Sequence, residues 1–295
     1  MSGQAFLVTA HRPEPIVARM VARLAAIGTV LVHVDAEVPI GPFRDLLPDA
    51  ILLDDRVSVR YPTWSLTQAA LRLARHGVGL EGVGRLTLLR STHYPIVSDE
   101  RIRDLADDPS DYIAALPAPD ARRGKPVSRF TRRAVPARRH GGLAHAVRAG
   151  VVNRIRPPLD WTEALGGREL RAGSAYWSLT TSTVVKVLDV VDAGGPMIDY
   201  FSRIDSPCES FVHTIVPTVS DHVVPRTISF SEWDGDQHPA PLTRAGLRSA
   251  MASGTALFAK KFDVDLAAWV DAELKDAAGA HGEGAGSGRS SGASA

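Results

Sequence analysis

The sequence predicts an α/β fold, with a mostly parallel sheet and helices packed on its faces. Three observations lead there. Short β-branched runs alternate with helical patterns over the first 115 residues. The 295-residue chain is 44% hydrophobic and 23% charged, so it can bury one large core. No apolar run approaches the roughly 18 residues of a membrane span, so that core faces protein.

The first apolar run, Ala5 to Val8, ends at Thr9-Ala10-His11. A helix follows, started by Pro13 or Pro15, with Ile16, Val17, Met20, Val21 and Leu24 on one face and Gly28 ending it. Thr29 to Val34 reads as a second strand halted by Asp35; Ile51 to Leu53 and Val57 to Val59 read as two more. Ser65 with Gln68 has the capping-box pattern for a helix carrying Leu66, Ala70, Leu73 and Ala74. Arg85 to Leu89 is a strand, Pro95 marks a turn, Ser98 starts a helix, and Asp111 to Leu116 is a strand. Ligands of such sheets bind at the carboxyl ends of the strands. The residues expected there are His11, Asp35, Tyr61 and the Arg90 to Tyr94 turn.

Between Asp120 and Asp160 no acidic residue occurs, whereas Arg and Lys together number eleven. Pro126, Pro136, Pro157, Pro158 and the pair Gly141-Gly142 interrupt any long helix. The segment fits a solvated loop, an acceptor-recognition surface whose Arg forks take carboxylate or phosphate groups, or a contact with nucleic acid or an anionic membrane surface. Phe130 is its one aromatic residue, too few for base stacking, so nucleic acid is not expected as a partner. Beyond it come a strand at Ala175 to Leu179, helices near 182–193 and 207–216, a strand at Val223 to Phe230, and helices at Thr243 to Met251 and 264–277. The expected organisation is one domain over 1–278, interrupted by the basic insertion 117–168, with a disordered Gly/Ser/Ala tail over 279–295.

A net charge of +1 argues against generic polyanion binding. The lone cysteine, Cys208, allows no internal disulfide and points to a reducing compartment; Met1 to Ala10 lacks a signal-peptide pattern. Walker A, H-E-x-x-H and C-x-x-C patterns are absent, and no G-x-G-x-x-G follows the first strand. Asp234-Gly235-Asp236 fits either a D-x-D that holds a metal through a diphosphate or a polar turn, and its late position favours the turn. Glu209 heads an apolar helix (Phe211, Val212, Ile215, Val216), where either a general base or a dipole-favoured carboxylate is at home.

Six motifs occur in order: Val32-His33-Val34-Asp35, Arg60 to Leu66, Tyr94-Pro95-Ile96, Gly173 to Thr180, Ser206 to Phe211, and Leu257 to Asp263. In order and spacing they resemble the Core-2/I-branching β-1,6-N-acetylglucosaminyltransferase family, which includes the peptide O-xylosyltransferases. The resemblance spans roughly residues 5 to 265, the 117–168 segment excepted. It implies a GT-A fold with a Rossmann-like nucleotide-binding half, and a mixed central sheet flanked by helices. It also implies inverting, metal-independent transfer of GlcNAc, or alternatively xylose, from a UDP-sugar to a hydroxyl of a glycan or small acceptor.

Such a displacement needs a base for the acceptor proton and positive charge for the departing diphosphate. The resemblance assigns the base to Glu209, with Cys208 standing where the family has Asp. It assigns the diphosphate cation to Lys261 rather than its neighbour Lys260, with Arg226 as a looser second cation. Tyr61 would contact the nucleotide-sugar, and Asp35, Thr9 and His11 would lie by uracil and ribose. Ser174, Tyr176 and His93 (Asp in the family) would face sugar or acceptor, and Trp64 would pack. His11 and His33 fit buried, hydrogen-bonded histidines equally well. Secretory members of the family carry a membrane anchor and cysteine-rich domains, which this sequence lacks; the expected location is cytoplasmic and the expected source bacterial. A non-catalytic nucleotide-, glycan- or nucleic-acid-binding protein is the competing class.

Overall fold

The strands, in chain order, are β1 (Gly3–Ala10), β2 (Thr29–Val34), β3 (Ile51–Leu52), β4 (Val83–Arg90), β5 (His93–Pro95), β6 (Asp111–Tyr112), β7 (Leu116–Pro117), β8 (Arg171–Ala172), β9 (Ser178–Thr180), β10 (Val223–Val224), β11 (Ser229–Phe230) and β12 (Phe258–Lys260). The structure is a computed structural model describing residues 3–136, 143–233 and 239–284, the side chains of 143–145 and 278–284 excepted.

Apolar residues on both faces put β1 in the interior of the main sheet, between β4 and β2. Phe6 and Val8 pack beneath the helix Pro15–Ala25 and the carboxyl-terminal helix Val264–Gly284. Ala5 and Leu7 pack against the helices Ser65–Val78, Thr181–Ala193 and Phe211–Val219. The strand order is β10-β6-β9-β4-β1-β2-β3, with β1 parallel to both β2 and β4 and with β9 antiparallel to β4 and β6. The chain runs outward from β1 to β3, then crosses to the other side of β1 for β4. This reversal leaves a crevice at the carboxyl ends of β1 and β4. A three-stranded sheet, β11-β12-β5, sets Lys260 opposite His93. Asp271 anchors the last helix beside it, accepting from Arg19 Nη2 (2.6 Å), Tyr94 OH (2.8 Å) and Arg23 Nη1 (3.0 Å).

The mixed α/β sheet flanked by helices is as the sequence predicts, but several local expectations differ. Val57 to Val59 is no strand. Val57 N–H donates to His33 Nε2 (2.8 Å) and Val59 N–H to Asp35 Oδ1 (3.3 Å), so side chains take the bonds a ladder would use. The capping box at Ser65 does not form: Trp64 is the N-cap, and Ser65 Oγ accepts from Arg60 N–H at 2.7 Å. The expected strands at Asp111 to Leu116 and Val223 to Phe230 each divide into two short ones serving different sheets. Gly28 ends its helix region for a packing reason, because a Cβ there would lie 2.6 Å from the Gln4 carbonyl. The basic segment enters and leaves through the β7–β8 pair, and Phe130 is fully buried against Trp161. The last helix continues through Gly284, six residues into the expected tail, and 285–295 lie outside the described residues. No helix among the described residues is long and apolar enough to cross a membrane.

Candidate functional site

Thr9 and Arg90, at the ends of β1 and β4, line a cleft with Thr67, Ala175, Tyr176, Trp177, Cys208 and Val212. It sits at the strand reversal described above. Glu209 belongs to a one-turn 3-10 helix, Pro207–Glu209, just before the helix Phe211–Val219, so it precedes that helix rather than opening it. Ser206, in left-handed backbone (φ 48°), redirects the chain into this turn, and its N–H donates to the Pro62 carbonyl at 2.7 Å. The Glu209 carbonyl accepts from Gly173 N–H at 2.9 Å. Only glycine fits at 173, since a Cβ would stand 1.8 Å from the Ala114 carbonyl oxygen.

One carboxylate oxygen of Glu209 carries two cations. Lys125 Nζ donates to Oε2, and Arg129 Nη2 reaches the same atom at 2.6 Å. Side-chain exposures of 15%, 19% and 30% for Lys125, Arg129 and Glu209 take the cluster out of the surface-pair regime, where solvent screening leaves little net attraction. Burial works to raise the Glu209 pKa, but the Lys125 and Arg129 charges outweigh it and hold the carboxyl below its ordinary value. Arg129 Nε also lies 4.0 Å from Asp205.

Tyr176 lines the same cleft. Its ring packs edge-on against His93 (centroids 4.3 Å apart) and carries the Lys260 ammonium 4.3 Å from its centroid. Burial raises the Tyr176 hydroxyl pKa, opposed by the neighbouring Arg90 charge. Burial lowers Lys260 to about 8; Glu209 opposes that shift, and Arg90 and Lys261 add to it. Lys260 is therefore the lysine the structure places in the cluster, while Lys261 is exposed.

The other predicted residues divide. Asp35 Oδ1 accepts from Glu37 N–H (3.0 Å) and Val59 N–H (3.3 Å), fixing the loop beyond β2. His11 is at the solvent edge, its pKa lowered by partial burial and by the Arg90 and Arg12 charges. The Tyr61 hydroxyl lies 3.4 Å from Ser206 Oγ with the residue 61% exposed, so Tyr61 borders the Glu209 turn and stays open to a ligand. Ser174 contributes its carbonyl, which accepts from His213 Nε2 at 2.7 Å. His93 is buried; its Nδ1 accepts from Arg90 N–H at 3.1 Å, and burial drives its pKa far down. It supports Tyr176 rather than lining the cleft. His33 and Trp64 take their packing roles, the latter edge-on to Phe211 at 4.8 Å. Burial pushes the Cys208 thiol up to about 12, so it is no nucleophile.

Arg226 is not brought to this cluster. It stacks over Tyr112 at 5.1 Å in a second cleft with Arg101, Asp104 and Asp108. It lies upstream of β11, which runs parallel to β12, whereas Lys260 ends β12. Asp234 and Asp236 lie outside the described residues. Sequence reasoning missed Lys125 and Arg129 individually; the acid-free block that contains them was the available signal.

No family model matches the chain, and no curated protein matches it. Among solved structures, a 4-diphosphocytidyl-2C-methyl-D-erythritol synthase is similar at 9% identity and a TM-score of 0.37, over 86% of this chain and 98% of that one. A protein assigned as a glucose-1-phosphate thymidylyltransferase in Bacillus anthracis, in complex with sucrose, is similar at 8% identity and a TM-score of 0.31, over 64% of this chain and 76% of that one. Likeness at this level assigns neither a family nor an activity to the chain.

Proposed function

We propose that the chain is an inverting glycosyltransferase of the GT-A type, moving GlcNAc, or alternatively xylose, from a UDP-sugar to an acceptor hydroxyl without a metal ion. One observation carries the reading: beside the cleft that Arg90 and Cys208 line at the carboxyl ends of β1 and β4, a half-buried carboxylate, Glu209, and the Arg90 cation both act on the buried Lys260 ammonium. That is the charge layout a single displacement requires. The acceptor oxygen attacks the anomeric carbon, its proton passes to Glu209, and the bond to the diphosphate breaks with its electron pair on the leaving oxygen. Lys260 and Arg90 would meet that charge, with Lys261 adding to it from the edge. Asp35, Thr9, His11 and Tyr61 would contact the nucleoside and sugar, as the family resemblance implies.

The test is a panel of UDP-sugars scored by UDP release with and without EDTA, run beside thermal shift with UDP. Stabilisation by UDP and EDTA-resistant release from one donor are expected. A protein that UDP does not stabilise, or release that depends strictly on Mn²⁺, overturns the reading; the latter returns Asp234 and Asp236 to consideration.

A further inference from the structure

Glu209 cannot both hold Lys125 and Arg129 on one oxygen and act freely as a base. Once it accepts a proton, its negative charge is gone. The two cations, 15% and 19% exposed, are then left with Asp205, 4.0 Å from Arg129 Nε, as the other carboxylate recorded beside them among the described residues. Partly desolvated cations without a counter-charge are unfavourable. An in-line displacement also puts the attacking hydroxyl and the leaving diphosphate on opposite sides of the reacting carbon. In that reading the cations bonded to the base serve the acceptor, and Lys260 and Arg90 serve the leaving group.

We propose that Lys125 and Arg129 form an anion subsite for the acceptor: the acceptor bears a phosphate or carboxylate near the hydroxyl that is glycosylated, and that group takes the two cations over from Glu209. The inference rests on the transferase reading above. Replacing the internal carboxylate by a ligand anion releases Glu209 as the acceptor arrives, so its basicity rises only when there is a hydroxyl to deprotonate. The guanidinium fork of Arg129 and the point charge of Lys125 both suit tetrahedral or planar oxyanions. No carboxylate of their own stretch competes for them; Asp205, 4.0 Å from Arg129 Nε, is the second internal carboxylate beside them.

The test is calorimetric titration of the full-length protein with a matched trio: glycerol 3-phosphate, glycerate and glycerol. Binding of one or both anions but not of glycerol is expected, and which anion binds tells phosphate from carboxylate. Lys125→Gln/Arg129→Gln should weaken that binding about tenfold or more. Glu209→Gln, which removes the competing internal anion, should tighten it several-fold, a gain that a misfolded variant does not produce. Equal and negligible binding of all three compounds, or anion binding unchanged in both variants, overturns the proposal. UDP titrated in parallel separates the two readings. Anion binding that follows the variants while UDP fails to bind overturns the transferase reading, and the acceptor role with it, leaving an anion site of another enzyme.

Discussion

Arg129 Nη2 lies 2.6 Å from Glu209 Oε2, joining the basic segment to the residue best placed to act as a base. Lys125 shares that oxygen. The basic stretch is thus part of the site wall, and its charge has a specific counter-charge rather than only solvent.

Glu209→Gln should lower transfer by about 10² to 10⁴-fold, the range of a general base, while UDP still binds. Single-turnover rates with the best donor, set beside UDP affinity, check this. Turnover near that of the wild type would remove the base assignment.

Lys260 and Lys261 are distinguished by pH. With a pKa near 8, Lys260 is charged at pH 7 and loses its proton as pH rises through 8, so UDP should bind more weakly above that point. Lys260→Met should weaken UDP about tenfold at pH 7, equivalent to ~1.4 kcal/mol, and flatten the pH dependence. A larger loss in Lys261→Met would return the diphosphate to the residue that the family resemblance designates.

His213 links the site to acid stability. Burial lowers its pKa to about 4, so between roughly pH 6.5 and 4 the unfolded chain binds the proton that the folded chain refuses. Stability should fall as pH drops through that window. Glu209, its pKa lowered in the folded state, adds a further loss at the acid end. Urea midpoints at pH 7, 5.5 and 4.5 should show the decline, and His213→Gln should make it shallower.

Gly173→Ala should destabilise the protein by about 1 to 3 kcal/mol or more, because the new Cβ meets the Ala114 carbonyl and pushes Gly173 N–H off the Glu209 carbonyl. Gly41→Ala, where a Cβ meets nothing within 4 Å, should be neutral. Urea titration of the pair provides the comparison.

Cys208 should resist alkylation. A thiol raised to about 12 is almost wholly protonated at pH 8, so iodoacetamide should label it slowly in the folded protein and quickly in urea. Rapid labelling of the native state would contradict a thiol held protonated in the cleft wall.

The alternation of β-branched runs and amphipathic stretches determined the α/β class, and the strand-end rule pointed to His11, Asp35, Tyr61 and the Arg90 to Tyr94 turn, of which Arg90 lines the cleft. Local periodicity suffices there, because a strand buried on both faces and a helix with one apolar face write themselves into consecutive residues. Glu209 was legible as a carboxylate beside an apolar helix. Its partners were not. Which side chains meet Glu209 depends on where the 117–168 chain returns after leaving β7, and no local pattern encodes that return. Arg226 and Lys260 make the same point from opposite directions. Arg226 sits upstream of β11 and Lys260 at the far end of β12, and only the pairing of these strands sends the first to Tyr112 and the second to Tyr176. Sequence fixes which residues can bear charge; long-range strand register and loop return decide which charges face each other, because electrostatic coupling depends on distance in space rather than along the chain.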